Sequence, residues 1–242
     1  LSNVDFIYPH TGIHALKDFS LQINKGEKIA VVGRTGSGKS TVAQLLLHMY
    51  EPQKGLITYD GVPVNKFDTH ALRLQISYVP QDIFLFSETV RNNIRFGVDD
   101  ATDADVIAAA KQASIHTEIE QFQNGYDTLI GERGVTLSGR QKQRISIARA
   151  LIKNPEIVIF DDCLSAVDAR TEKEIIGNLY RFLKERTAII ITHRIFSLFD
   201  FDKIIVLDEG KIVEQGTHQQ LLSLNGYYTE MYNRQQEQEK EV

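Results

Sequence analysis

The sequence is 242 residues long, 42% hydrophobic and 24% charged, with a formal net charge of −5. That is enough chain for one large α/β domain or two small ones, and the acidic balance excludes a broad nucleic-acid-binding surface. A single cysteine, Cys163, excludes an internal disulfide framework, and no apolar run approaches the roughly 20 residues of a membrane span.

The first residues, Leu1-Ser2-Asn3-Val4, read as the middle of a strand, which suggests a domain cut from a longer polypeptide. Strands are expected over Leu1 to Tyr8, Phe19 to Ile23 and Lys28 to Val32, with turns at Pro9 to Gly12 and at Asn24 to Glu27. Tyr8, at a strand end before Pro9, reads either as an aromatic plate for a nucleotide base or as an ordinary edge-strand tyrosine.

The next stretch organises the chain. Gly33-Arg34-Thr35-Gly36-Ser37-Gly38-Lys39-Ser40-Thr41 fits the phosphate-binding pattern G-x-x-x-x-G-K-[ST] without a mismatch. An apolar strand precedes it, and Val42, Leu45, Leu46 and Met49 follow at helical spacing. The glycines let backbone N–H groups curl inward around an anion, and the helix adds its positive end. Lys39 is expected to reach the β- and γ-phosphates of ATP, and the Ser40 hydroxyl to ligate Mg²⁺.

Downstream, a strand is expected over Leu56 to Asp60 and a helical turn over His70 to Leu74. The strand Ile76 to Pro80 delivers Gln81 at its end. Residues 83–154 then lack strands. Helices are expected at Thr89 to Ile94 and Asp103 to Ala113, with Thr102 and Asp105 forming an N-terminal cap. Phe84-Leu85-Phe86 reads as subdomain core or as a docking surface for another chain. Leu137-Ser138-Gly139-Arg140-Gln141 opens a helix that ends near Asn154-Pro155.

The apolar strand Ile157 to Phe160 ends in Asp161-Asp162. Downstream of a P-loop this is the Walker B arrangement: Asp161 would hold Mg²⁺, and Asp162 would face the γ-phosphate and orient the attacking water. Thr171 to Lys184 reads as amphipathic helix, and Ala188 to Thr192 as a buried strand ending at His193. Lys203 to Leu207 and Lys211 to Glu214 flank the hairpin signal Asp208-Glu209-Gly210. The tail 234–242 is expected to fray. In a mainly parallel sheet, the strand ends at Gly33, Gln81, Asp161 and His193 would share one edge.

With these motifs together, the chain resembles the nucleotide-binding domains of ATP-binding cassette (ABC) transporters along its whole length. Leu137 to Gln141 resembles the family signature L-S-G-G-Q, and Ser165-Ala166-Val167-Asp168 the D-loop. Gln81 fits the Q-loop, His193 the switch histidine and Tyr8 the base-stacking aromatic. Gly131-Glu132-Arg133-Gly134 and the Gln81 to Ser87 segment have an exporter look. The resemblance implies an α/β P-loop NTPase (RecA-like) core with a mainly parallel sheet, an N-terminal antiparallel β subdomain and an inserted α-helical subdomain. Residues 1–82 and 155–242 would form the core and 83–154 the helical part. It implies catalytic roles for Asp162, His193 and Gln81, Mg²⁺ ligands at Ser40, Gln81 and Asp161, and contact of Leu137, Ser138, Gly139, Arg140 and Gln141 with the ATP of a partner domain. A second nucleotide-binding domain, a membrane domain fused upstream and a place at the cytoplasmic face of a membrane follow from the same likeness.

Two positions depart from the family. Asp162 stands where the family usually has Glu, one methylene longer, which retracts the carboxylate by about 1.5 Å at most; a misplacement near 1 Å can cost about a hundredfold in rate. The chain is then either the weaker half of a heterodimer or, with a small backbone shift, part of a homodimer. Arg140 replaces the second signature glycine, which matters only if that position needs φ > 0. Other classes remain in play: a non-transport ABC ATPase, a nucleotide-sensing regulatory subunit and an importer cassette. The first usually carries a long arm or a second cassette, and the last an extra C-terminal domain.

Overall fold

A computed structural model of the chain describes residues 1–131, 136–163, 169–195 and 200–240. It divides into two compact units, one built from residues 1–76 and 187–242 and the other from residues 77–186.

The first unit begins with β1 (Ser2–Ile7) and β2 (His14–Phe19), then β3 (Lys28–Val32). The second strand is thus not the expected Phe19 to Ile23. Its residues Ala15, Leu16 and Phe19 are buried, and it pairs antiparallel with β1 through Phe6 opposite Leu16 and Val4 opposite Phe19. Asp18, at φ 49°, kinks the strand near its end, and beyond Phe19 the chain is tied back at Leu21, whose N–H donates to the Leu1 carbonyl and whose carbonyl accepts from the Leu1 ammonium, both at 3.0 Å. After β3 come α1 (Lys39–Leu46), β4 (Lys54–Leu56), the short pair β5 (Thr58–Tyr59) and β6 (Val62–Pro63), and α2 (Thr69–Gln75). The Asp68 side chain caps α2 by accepting from Ala71 N. Strands β2, β1 and β4 form an antiparallel three-stranded sheet in that order.

The second unit runs through β7 (Ile76–Val79), α3 (Val90–Ile94), α4 (Asp103–Gln112), α5 (His116–Glu120), α6 (Gly139–Leu151), β8 (Ile157–Asp161) and α7 (Ala169–Leu183). Strands β7 and β8 are neighbours. Between them lie only helices, turns and one isolated bridge, Thr89 to Leu129, among the described residues. The expected cap is present: Thr102 and Asp105 form a reciprocal capping box at the start of α4. Asn93 is fully buried and acts as a polar hub. Its Oδ1 accepts from Phe86 N–H at 2.9 Å and Arg149 Nη2 at 2.7 Å, and its amide donates to the carbonyls of Phe86 and Thr89, each at 3.0 Å. Arg149 also donates to the carbonyls of Asn93 and Phe84, and burial pushes its pKa down. Phe84 itself is 67% exposed, while Phe86 packs on Phe96 with ring centres 4.4 Å apart.

The chain returns to the first unit with β9 (Thr187–Thr192), β10 (Lys203–Asp208), β11 (Lys211–Gly216), α8 (His218–Ser223) and α9 (Tyr227–Lys240). Here β3 lies between β9 and β10, parallel to both, and β11 closes the edge antiparallel to β10. The apolar runs of β3, β9 and β10 are buried almost throughout, as strands covered on both faces require. The β10–β11 turn has Glu209 and Gly210 both at positive φ, 45° and 81°, the backbone of a tight hairpin. Helix α9 continues through the Gln- and Glu-rich segment after Arg234 as far as Lys240.

Candidate functional site

In the first unit the parallel register sets the position of the loop. Val32 is level with Thr192 on one side and Val206 on the other, so Gly33 leaves the sheet between His193 and Leu207. Strand β9 therefore carries His193 to the mouth of the loop, where it is exposed. A Cβ on Gly33 (φ +155°) would stand 2.2 Å from the Leu207 carbonyl oxygen, and one on Gly38 (φ +101°) 2.4 Å from that of Ala15. Only glycine fits either position.

The loop is held by backbone bonds at both shoulders: Ser37 N–H donates to the Arg34 carbonyl at 3.2 Å, and Gly210 N–H to the Ser37 carbonyl at 3.0 Å. The Lys39 ammonium folds back over it and donates to the carbonyls of Gly33 and Arg34, both at 2.8 Å. Gly38 ends the loop and Lys39 begins α1, whose first turn leaves backbone N–H groups without helical partners. Ser37 Oγ is buried against Gly33 and has no hydrogen-bond partner among the described residues. A cation, a helix N-terminus, an orphaned hydroxyl and a loop closed to a Cβ at Gly33 and Gly38 together suit an oligophosphate. Arg34 and Thr35 lie exposed on the loop, and the Arg34 guanidinium sits 5.2 Å over the Tyr227 ring at the start of α9. Ser40 is half-buried in the first turn of α1.

Tyr8 lies beside the same helix. Its hydroxyl donates to Gln44 Oε1 at 2.7 Å and meets Thr41 Oγ1 at 2.9 Å. Its ring stands edge-on to Phe6 and Tyr50, at centroid distances of 4.9 and 5.6 Å.

In the second unit β8 ends at Asp161, which is 2% exposed. The Tyr78 hydroxyl, on the neighbouring β7, donates to Asp161 Oδ2 at 3.1 Å. Asp162 follows with a left-handed φ of 47°, a conformation that Asp tolerates better than most residues. Cys163 is buried, and that burial pushes its thiol pKa up, so it is a packing residue and not a nucleophile. Gln81, just after β7, is exposed.

Leu137 is buried and anchors the start of α6. Ser138 caps that helix: its Oγ accepts from Gln141 N–H at 3.2 Å, while Gln141 Oε1 accepts from Ser138 N–H at 3.0 Å. Gln141 Nε2 donates on to Glu118 Oε2 at 3.1 Å, and Glu118 pairs with Arg144 at 2.6 Å. Burial pushes the Glu118 carboxyl up, but the Arg144 hydrogen bond, the Gln141 hydrogen bond and the Arg144 charge outweigh it and hold its pKa below the usual range. Gly139 and Arg140 are the first helical residues, exposed at the tip, and Arg140 is absent from the positive-φ positions. Arginine therefore meets no backbone penalty where the family signature has its second glycine.

Residues 16–165, more than half of the chain, match the family model described as ABC transporter. The chain belongs to the ABC transporter family. A probable multidrug resistance ABC transporter ATP-binding/permease protein, YheI of Bacillus subtilis (strain 168), is 49% identical over 235 residues, covering 97% of this chain and 40% of YheI. An ATP-dependent lipid A-core flippase of Methylobacillus flagellatus is 44% identical over 234 residues, covering 96% of this chain and 40% of the flippase. Among solved structures, a bacterial Atm1-family ABC exporter with ATP bound superposes with a TM-score of 0.91 at 44% identity, over 97% of this chain and 41% of that one. The chain thus spans about two fifths of the length of these relatives. Among the described residues, no helix is long and apolar enough to cross a membrane.

The structure ties Tyr8 to the helix after the Gly33–Lys39 loop through Thr41 and Gln44, and sets His193 at the end of the strand beside that loop. The D-loop, Ser165 to Asp168, lies outside the described residues, as do Glu132, Arg133 and Gly134. Sequence reasoning missed Gln44, Tyr78 and Glu118. The i, i+3 spacing of Thr41 and Gln44 on the P-loop helix was the available signal for the first; nothing local marked the other two.

Proposed function

We propose that this chain is the ATP-hydrolysing motor of an ABC exporter, working as a head-to-tail pair with a second nucleotide-binding domain and coupled to a membrane domain. The observation that carries the reading is the phosphate cradle around Lys39, on a chain similar throughout to an exporter with ATP bound. In this reading Gly33 to Thr41 hold the phosphates, Lys39 exchanges its two loop carbonyls for the β- and γ-phosphates, and Tyr8 stacks on the base. Ser40, Gln81 and Asp161 offer hydroxyl, amide and carboxylate oxygens, the donor set a hard cation such as Mg²⁺ prefers. Bound Mg²⁺ would neutralise charge on the phosphates. Asp162 orients the attacking water and His193 contacts the γ-phosphate.

Leu137 to Gln141 serve the partner's ATP. The capping box commits Ser138 N–H and one Ser138 lone pair to Gln141, which leaves the Ser138 O–H and the Gly139 N–H to face a phosphate. The ATP-binding/permease relatives support a membrane domain on the same polypeptide and a place at the cytoplasmic side of a membrane. The exposed Phe84 side chain, on a segment pinned by Arg149, suits a surface that a membrane domain engages.

Asp162 favours a second reading beside the first, in which this site hydrolyses slowly or only senses nucleotide while its signature completes the partner's site. Mg-ATP binding and turnover, alongside Asp162→Glu and Asp162→Ala, separate the two. Binding without turnover, with turnover restored by Asp162→Glu, supports the weaker site. Turnover abolished by Asp162→Ala makes Asp162 a working base. Absence of ATP binding would overturn the whole reading.

A further inference from the structure

Tyr8 is fixed more completely than a stacking surface alone requires. Its backbone N–H donates to the Ile13 carbonyl and its own carbonyl accepts from Gly12 N–H, both at 2.9 Å. The preceding residue is clamped by Gln53, whose side chain accepts from Ile7 N–H at 2.7 Å and donates to its carbonyl at 2.9 Å. At the far end of the side chain, Gln44 Oε1 can only accept, so the Tyr8 hydroxyl donates to it, and the Tyr8 oxygen is left to accept from the buried Thr41 hydroxyl. The hydrogen bonds thus run one way, from Thr41 through Tyr8 to Gln44. Thr41 and Gln44 are three residues apart on one face of α1, the helix that begins at Lys39.

We propose that Gln44 and Thr41 are positioning residues for the base half of the nucleotide: they lock the Tyr8 ring to the helix that carries the phosphate-binding lysine. Plate and phosphate loop then move as one body, and the distance between them is set before ATP arrives. A ligand with both a base and an oligophosphate gains from that preorganisation, because no ring rotation has to be frozen on binding. A ligand with phosphates alone gains nothing from it. This rests on the reading of Tyr8 as the base plate.

The test compares the Kd of Mg-ATP with that of magnesium tripolyphosphate, which has no base or ribose, on the intact protein by calorimetry. Gln44→Ala and Tyr8→Phe each weaken Mg-ATP by about 3- to 10-fold, the worth of one hydrogen bond, and leave tripolyphosphate unchanged. The double variant is no weaker than either single one, because both break the same link. Equal losses for the two ligands, additive losses, or no loss for Mg-ATP overturn the proposal. Tyr8→Ala separates the two levels. If it leaves Mg-ATP affinity intact, the base-plate reading fails and the clamp with it. If it alone weakens Mg-ATP, the plate stands and the clamp is overturned.

Discussion

The phenol of Tyr78 donates to the carboxylate of Asp161 across two neighbouring strands, at 3.1 Å. Asp161 is all but sealed from solvent, so this bond fixes which way its oxygens face. With Asp161 as a Mg²⁺ ligand, Tyr78 is a supporting residue of the kind whose loss costs about 10-fold or more in metal affinity. Tyr78→Phe is expected to raise the Mg²⁺ concentration for half-maximal ATP turnover by about that factor while nucleotide affinity without metal stays the same. Mn²⁺ binding followed by electron paramagnetic resonance gives an independent readout.

Gly38 has to turn through φ +101° against the Ala15 carbonyl. Gly38→Ala is expected to destabilise the protein by about 1–3 kcal/mol through backbone strain, and to lose most ATP affinity because Lys39 is displaced. Gly36→Ala, at φ +82° with open space where the Cβ would go, is expected to cost less. Thermal unfolding and ATP titration of the two variants side by side check the order.

At the start of α6 the pH dependence has a defined sign. The native pKa of Glu118 is depressed, so its contribution to stability is fully present above the ordinary glutamate range, about pH 4.3, and is lost as pH falls through the native value. The wild type is therefore expected to lose more stability than Glu118→Gln between about pH 5 and pH 3. Denaturant midpoints across that range measure the difference. Glu118 is 38% exposed, so salt should narrow it.

What could be read from sequence was what is local. The P-loop with its flanking strand and helix, the Thr102–Asp105 cap and the Asp208-Glu209-Gly210 hairpin each announce themselves within a few residues. The second strand was misplaced because Phe19-Ser20-Leu21-Gln22-Ile23 alternates as a strand does, while the real one, His14–Phe19, is chosen by pairing with β1. Local alternation carries no information about which partner waits across the sheet. The same holds at the site. Tyr78 finds Asp161, Gln141 finds Glu118, and Tyr8 finds Gln44 through side chains that the fold brings together across 23 to 83 positions. The doubt over Arg140 turned on a single φ angle, which only the helical start of α6 resolves.

The placement of β3 bears on how the protein comes to be made. Lys28 pairs with Ala188 and Ile29 with Lys203, so the strand that presents the phosphate loop has both neighbours in the last quarter of the chain. During synthesis, β3 and its loop emerge before either neighbour and wait, apolar and unpaired, until β9 and β10 have followed. Long-range parallel pairing of this kind forms slowly because its loop-closure cost comes before its reward. The strand that leads into the phosphate loop is therefore made before its neighbours and finished only with them, and sequence changes in β9 or β10 are expected to act first on the yield of folded protein.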